Sequence, residues 1–461
     1  MELKMRWRSW KSDWRYATSL LCTYGFFSTV KPLEPFLIPF LTGPDKNLTS
    51  EQVNNRILPV WTYSYLAVLV PVFLLTDWLR YKPVLFFQSV ALFVTNALLL
   101  WTKSVAAMQA TQFVYSVVTA CDVAYFSYIY SVIEVKRYKK ATSYIRSVQL
   151  LGYTVGSVLG QVLVSFDLMS YDNILVLTLV LIAVAMVVTP LLPLPKKSMF
   201  FHRKNHDAPE DSGVDIHMGS NEENRSDTQT STRRFGKVLS LLWQDFVECY
   251  SSHNLLIWSL WWALATCGYN QTVNYVQVLW EHVEPSQNAS IYNGGVEAVS
   301  NLLGSATRWG ELYLGGLSGL GAASLFLMTF IGNIWVCYAG YVVFKCLYTL
   351  LITIAMYQIA AGLSVERYAL VFGVNTFGAL VLQTILVFVV VDSSGLGLGI
   401  IPQFTIYASY FAAIATVFLP VHTLICDTLS YKIQSFTNIV SLKLLVKQNS
   451  AIGASAPKLT L

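Results

Sequence analysis

With 54% hydrophobic and only 12% charged residues over 461 positions, and a mean hydropathy of +0.51, the chain is too apolar for a soluble protein of this length. It reads as an all-α polytopic protein of the lipid bilayer. The net charge of +5 sits mostly in loops assigned to the cytoplasm, so it reports topology and implies no nucleic-acid partner.

The N-terminal tail, 1–16, carries Lys4, Arg6, Arg8, Lys11 and Arg15 ahead of an apolar run. This resembles a secretory signal, but the run continues to Leu41 without a small-residue cleavage site, which favours a retained first span with a cytoplasmic N-terminus. Within that span Lys31 and Glu34 lie three residues apart among Pro32, Pro35 and Pro39, a spacing that predicts a shared helix face. An ionisable residue at membrane depth costs a few kcal/mol, so the pair is either a buried structural bridge or part of a site facing a cavity. Asn47-Leu48-Thr49 in the following loop matches an N-glycan acceptor and places that loop outside.

Spans two and three, 61–76 and 84–101, flank a short basic turn expected in the cytoplasm; the fourth, 105–133, ends in the basic run Lys136 to Lys140. The fifth carries Gly152, Gly156 and Gly160 at four-residue spacing, which predicts close packing of a neighbouring helix. The sixth, 174–192, completes an N-terminal half over 17–194. Residues 195–240 are polar and charged, with little to build a core, and predict a disordered cytoplasmic linker. A second half, 241–426, comes next with spans seven to twelve, and 427–461 is read as a cytoplasmic C-terminal tail. Asn288 begins a second glycan pattern in the loop after span seven. Six spans, a polar linker and six more is the layout of major-facilitator transporters, whose substrate site lies at the midplane between the halves.

No metal or cofactor is expected. The six histidines fall in the linker or near span ends, and no Gly-rich phosphate loop, HExxH or G-x-S-x-G occurs, so catalysis is not expected either. The intramembrane polar residues carry the functional argument. Gln112, Tyr115, Thr119, Asp122 and Phe126 repeat at three and four residues, which predicts one polar and aromatic stripe on span four facing a cavity. Asn270, Asn274 and Gln277 in span seven, and Asn293, Glu297 and Asn301 in span eight, have the same pattern. Each amide serves equally well as an interhelical hydrogen bond or as a ligand contact. Glu34, Asp122 and Glu297 outnumber Lys31 and Lys345 at depth, and Trp61, Tyr63, Tyr65, Tyr115, Tyr125 and Tyr153 add aromatic faces. Carboxylates with aromatic rings suit a small organic cation.

Long runs, among them 43–49, 59–65, 195–202, 291–297 and 368–377, closely resemble the reduced folate carrier and thiamine transporter family, and within it the thiamine branch. Asp122 is acidic where the folate carriers have an arginine, and Gln383 is neutral where they have a lysine. The resemblance implies plasma-membrane uptake of thiamine by alternating access, with a proton as one candidate coupled ion. A carrier for folate or another organic ion, or a transport-inactive, receptor-like protein, is the alternative. It also implies that Glu34, Trp61, Tyr115, Tyr153, Asn274 and Glu297 surround the aminopyrimidine and thiazolium rings. Two positions depart from the thiamine branch, Gln112 standing for a glutamate and Asp122 for a longer glutamate, which implies altered affinity. A third departure is length. About sixteen residues, 292–307, are left for span eight where a crossing needs about twenty, and relatives carry more sequence here; either the helix is short or the chain is a splice or gene-model variant.

Overall fold

The computed structural model describes residues 14–133, 137–193, 240, 242–287, 290–306, 314–360, 363 and 365–418. The first thirteen residues of the expected N-terminal tail, the linker through 239, Asn288, the turn at 308–311 and everything after 418 lie outside the described residues.

The described chain is helical almost throughout. Helix α1 (Trp14–Thr29) leads into a short 3-10 turn (Glu34–Phe36) and α2 (Leu37–Thr42). Beyond the next loop a π-helical stretch (Val53–Ile57) runs into α3 (Leu58–Trp78), followed by α4 (Lys82–Trp101). The fourth column is split at Cys121 into α5 (Val105–Ala120) and α6 (Asp122–Val132), and α7 (Tyr138–Ser165) and α8 (Tyr171–Val188) complete the first half. The second half holds α9 (His253–Val283), α10 (Asn293–Ala306), α11 (Leu314–Phe330), α12 (Ile334–Ala360), α13 (Val365–Leu386) with a π-helical end (Val387–Val391), and α14 (Ile400–Phe418).

Among the described residues seven helices, Ser50–Thr76, Lys82–Trp101, Lys140–Ser165, Tyr171–Leu191, Ile334–Ala360, Leu370–Val391 and Ile400–Phe418, are long and apolar enough to cross a membrane. The other columns fall short for visible reasons. The first is broken by its prolines and the fourth at Cys121, while α9 is long but rich in amides. α10 is described over fourteen residues, about 21 Å, up to the undescribed 307–313.

The first column breaks because proline at 32, 35 and 39 removes three amide donors in eight residues. Lys31 and Glu34 therefore do not share a helix face. They flank a turn closed by the Glu34 N–H donating to the Lys31 carbonyl at 3.1 Å. The glycine stripe of α7 lies against this break. A Cβ on Gly156 would stand 2.8 Å from the Lys31 backbone nitrogen, and one on Gly160 would collide with the Pro32 carbonyl. Close approach of the broken segment thus depends on bare backbone, as the four-residue spacing predicts.

Candidate functional site: a charged cavity between the halves

A cavity of about 530 Å³ opens between helices of the two halves, within the range of small-molecule sites. Glu34, Trp61, Gln112, Tyr115, Asp122, Tyr153, Asn274 and Glu297 all line it, as do Lys31 and Lys345. The stripe on the fourth column is only partly as expected. Gln112, Tyr115, Thr119 and Asp122 face the cavity, but beyond the break at Cys121 it is Tyr125 that lines it, and Phe126 instead lies under the Arg146 guanidinium, 5.4 Å from its ring centre. Of the six aromatics, Trp61, Tyr115, Tyr125 and Tyr153 line the cavity. Tyr63 donates to Asp392 Oδ2 at 2.8 Å, and Tyr65 packs on Trp61 with ring centres 5.4 Å apart.

The break in the first column is repaired from the opposite half. In a continuous helix the Ile38 N–H would donate to the Glu34 carbonyl. Here Gln277 inserts its amide between them: Nε2 donates to the Glu34 carbonyl at 3.0 Å and Oε1 accepts from the Ile38 N–H at 3.4 Å. Pro39 offers no N–H to the Pro35 carbonyl, and Asn293 Nδ2 donates to that carbonyl at 3.2 Å while the Tyr338 hydroxyl donates to Asn293 Oδ1 at 2.8 Å. Asn270 donates to Gln383, which is fully buried and donates to Thr62. These amides are therefore interhelical ties. Asn274 and Asn301, by contrast, line the cavity without a side-chain hydrogen bond among the described residues, as does Gln112.

The charges divide the same way. Lys31 Nζ lies 3.8 Å from Glu34 Oε1 and donates to the Tyr115 hydroxyl at 3.1 Å, and that hydroxyl donates to Glu34 at 3.4 Å. In the other half Lys345 Nζ reaches Glu297 Oε2 at 2.5 Å while the Tyr341 hydroxyl donates to Glu297 Oε1 at 2.7 Å. Each half thus contributes a lysine, a glutamate and a tyrosine, with the ammonium also over the tyrosine ring at 5.0 and 5.5 Å. Both lysines are matched by glutamates. Asp122 forms no ion pair among the described residues; Gln88 Nε2 donates to its Oδ1 at 2.7 Å. Of the five charged side chains lining the cavity, the two pairs cancel, and Asp122 leaves one unbalanced negative charge.

The halves are bridged by further hydrogen bonds. Asn55 Nδ2 donates to the Val391 carbonyl at 2.6 Å, and Gln161 binds the Ile291 carbonyl and the Gly295 N–H. The exposed Asn47 sits in the adjoining loop in a left-handed conformation, φ 58°.

Helices from two halves enclosing a polar, ionisable cavity define a polytopic helical bundle, and solved structures share this fold. The nucleoside transporter NupG superposes with a TM-score of 0.57 at 13% identity, covering 88% of this chain and 99% of that one. A POT family transporter in complex with a thioalcohol-conjugated peptide gives 0.59 at 11%, covering 88% and 96%. The all-α, major-facilitator-like bundle expected from the layout is thereby borne out.

The particular family is fixed by sequence. Residues 12–406 match the reduced folate carrier model, and the chain belongs to that family. It is 52% identical to human thiamine transporter 1 over 88% of this chain and 89% of that protein, and 48% identical to human thiamine transporter 2 over 89% and 90%. Identity to the human reduced folate transporter is 40%, over 88% of this chain and 72% of that protein.

Proposed function

We propose that this chain carries thiamine, a small organic cation, across the plasma membrane by alternating access of its two halves around the cavity. The observation that carries the reading is the charge balance: two lysines neutralise two glutamates, and Asp122 remains for the thiazolium. Trp61, Tyr115 and Tyr153 offer ring faces to a cation, and Gln112 and Asn274 offer unengaged amides to the edge of an aminopyrimidine. About half-identity to two thiamine transporters supports the same substrate. A folate dianion would meet a net negative cavity, so the folate alternative is disfavoured on charge as well as on identity.

Six-helix halves over 17–194 and 241–426, cytoplasmic termini and linker, and glycans on Asn47 and Asn288 complete the proposed topology. Uphill uptake needs a coupled ion. A proton and the thiazolium would compete for Asp122, which is the relation an exchanger requires. Uptake of labelled thiamine and labelled folate into cells expressing the chain, across external pH, tests the proposal. Saturable thiamine uptake without folate uptake is expected, and the reverse preference would overturn it.

A further inference from the structure

We infer that Gln88 is a positioning residue for cation recognition: with Tyr24 behind it, it holds Asp122 as a carboxylate with one oxygen left for the substrate. This rests on the proposed cation transport but concerns residues outside the set expected from the sequence. Gln88, on α4, is only 4% exposed, and all its polar atoms are engaged. Nε2 donates to Asp122 Oδ1 at 2.7 Å and to the Val118 carbonyl at 3.1 Å, while Oε1 accepts from the Tyr24 hydroxyl at 2.8 Å.

These partners dictate the amide orientation. A backbone carbonyl can only accept, so the nitrogen must lie on the side of Val118 and Asp122 and the oxygen on the side of Tyr24. The Tyr24 hydroxyl must then donate. A donor fixed in this way favours the ionised form of the carboxyl it binds. Asp122 Oδ2 has no partner among the described residues, and Asp122 is open to the cavity. The chain Tyr24, Gln88, Asp122 thereby links α1, α4 and α6, and it makes the break at Cys121 useful, since Asp122 begins a new helix at the cavity wall.

The other titratable groups facing Asp122 are Lys31 and Tyr24 from the first column and Tyr65 from α3. Tyr115, Cys121 and Tyr125 face it from its own column, and Tyr153 from α7. None is a carboxylate, so nothing near Asp122 shares its proton. Gln88→Glu changes this by placing a second carboxyl at hydrogen-bond distance, and one proton is then held between the two.

The test uses the full-length protein and two readouts. In transport, Gln88→Glu makes the KM for thiamine fall about tenfold from pH 6 to pH 8 relative to wild type. Gln88→Leu raises KM about tenfold at every pH with surface level unchanged, and Tyr24→Phe, which frees the amide to turn, raises it by less. In infrared titration of purified protein, the signal removed by Asp122→Asn is a carboxylate in wild type at neutral pH and a protonated carboxyl in Gln88→Leu. Wild-type protein that moves no thiamine contradicts the transport reading alone, because the infrared signal still decides the role of Gln88. Variants with wild-type KM, wild-type pH profile and an unchanged Asp122 signal would overturn the inference, as would a loss confined to surface level.

Discussion

Asp122→Asn removes one charge while keeping size and the ability to accept from Gln88. If Asp122 is the one unbalanced charge of the cavity, the loss falls on cation binding and not on folding. Two unit charges about 4 Å apart interact by about 1 kcal/mol in bulk water and about 4 kcal/mol at an effective dielectric of 20. Asp122 is open to a polar cavity, which places the expected loss between these limits, near 2 kcal/mol or about 30-fold in affinity. The assay is KM for labelled thiamine in cells, normalised to surface protein, with an uncharged analogue lacking the thiazolium as competitor. The variant should bind the analogue as wild type does and lose affinity only for the cation. A KM within twofold of wild type at equal surface level would refute the charge argument.

Gln112→Glu adds a second unpaired carboxylate to the same wall and should lower the thiamine KM by several-fold; an unchanged KM would show that position 112 does not read charge. Lys345→Ala strands Glu297 at a largely buried pair and should cost about 3 to 5 kcal/mol in thermal stability, with Lys345→Ala plus Glu297→Ala recovering most of it. Gly156→Val should lower the melting temperature and surface level, because the added side chain meets the backbone at Lys31; a wild-type melt would sink the packing account. Asp392, in the loop after Val391, has its carboxyl held below the usual value. Burial opposes the charge, but the Ser394 N–H, the Tyr63 hydroxyl and the Ser394 side chain outweigh it by hydrogen bonding. A depressed carboxyl stabilises the fold above its unfolded value of about 3.9 and loses that contribution as pH falls through the lower folded value. The melting difference between wild type and Tyr63→Phe should therefore be constant from neutral pH to about 5 and shrink below about 4.

The bundle was legible because apolar runs near membrane length and the basic turns between them are properties of composition. The cavity wall was legible as well, since Glu34, Gln112, Tyr115 and Asp122 are polar residues in apolar helices, and such residues seldom face lipid. What could not be read was which amide does which task. Gln277, Asn293 and Asn270 look like Asn274 and Asn301 in the sequence, and only the course of the broken first column shows that the first two cap its carbonyls. Proline spacing gave a usable hint: each proline leaves a carbonyl four residues upstream without its donor, and some donor from another helix has to supply it. Phe126 failed for the opposite reason, because nothing in the local pattern announces the break at Cys121 that ends the helical register. Gln88 was missed because a lone glutamine in an apolar run carries no spacing signal; its meaning comes from Tyr24 and Asp122, 64 and 34 residues away.

Equilibrium binding of labelled thiamine to the purified protein, with competition by folate and by an uncharged thiamine analogue, reads the charge balance of the cavity most directly. The account predicts saturable binding to one site that monocationic analogues displace and folate does not. Displacement by folate, or equal binding of the uncharged analogue, would contradict it.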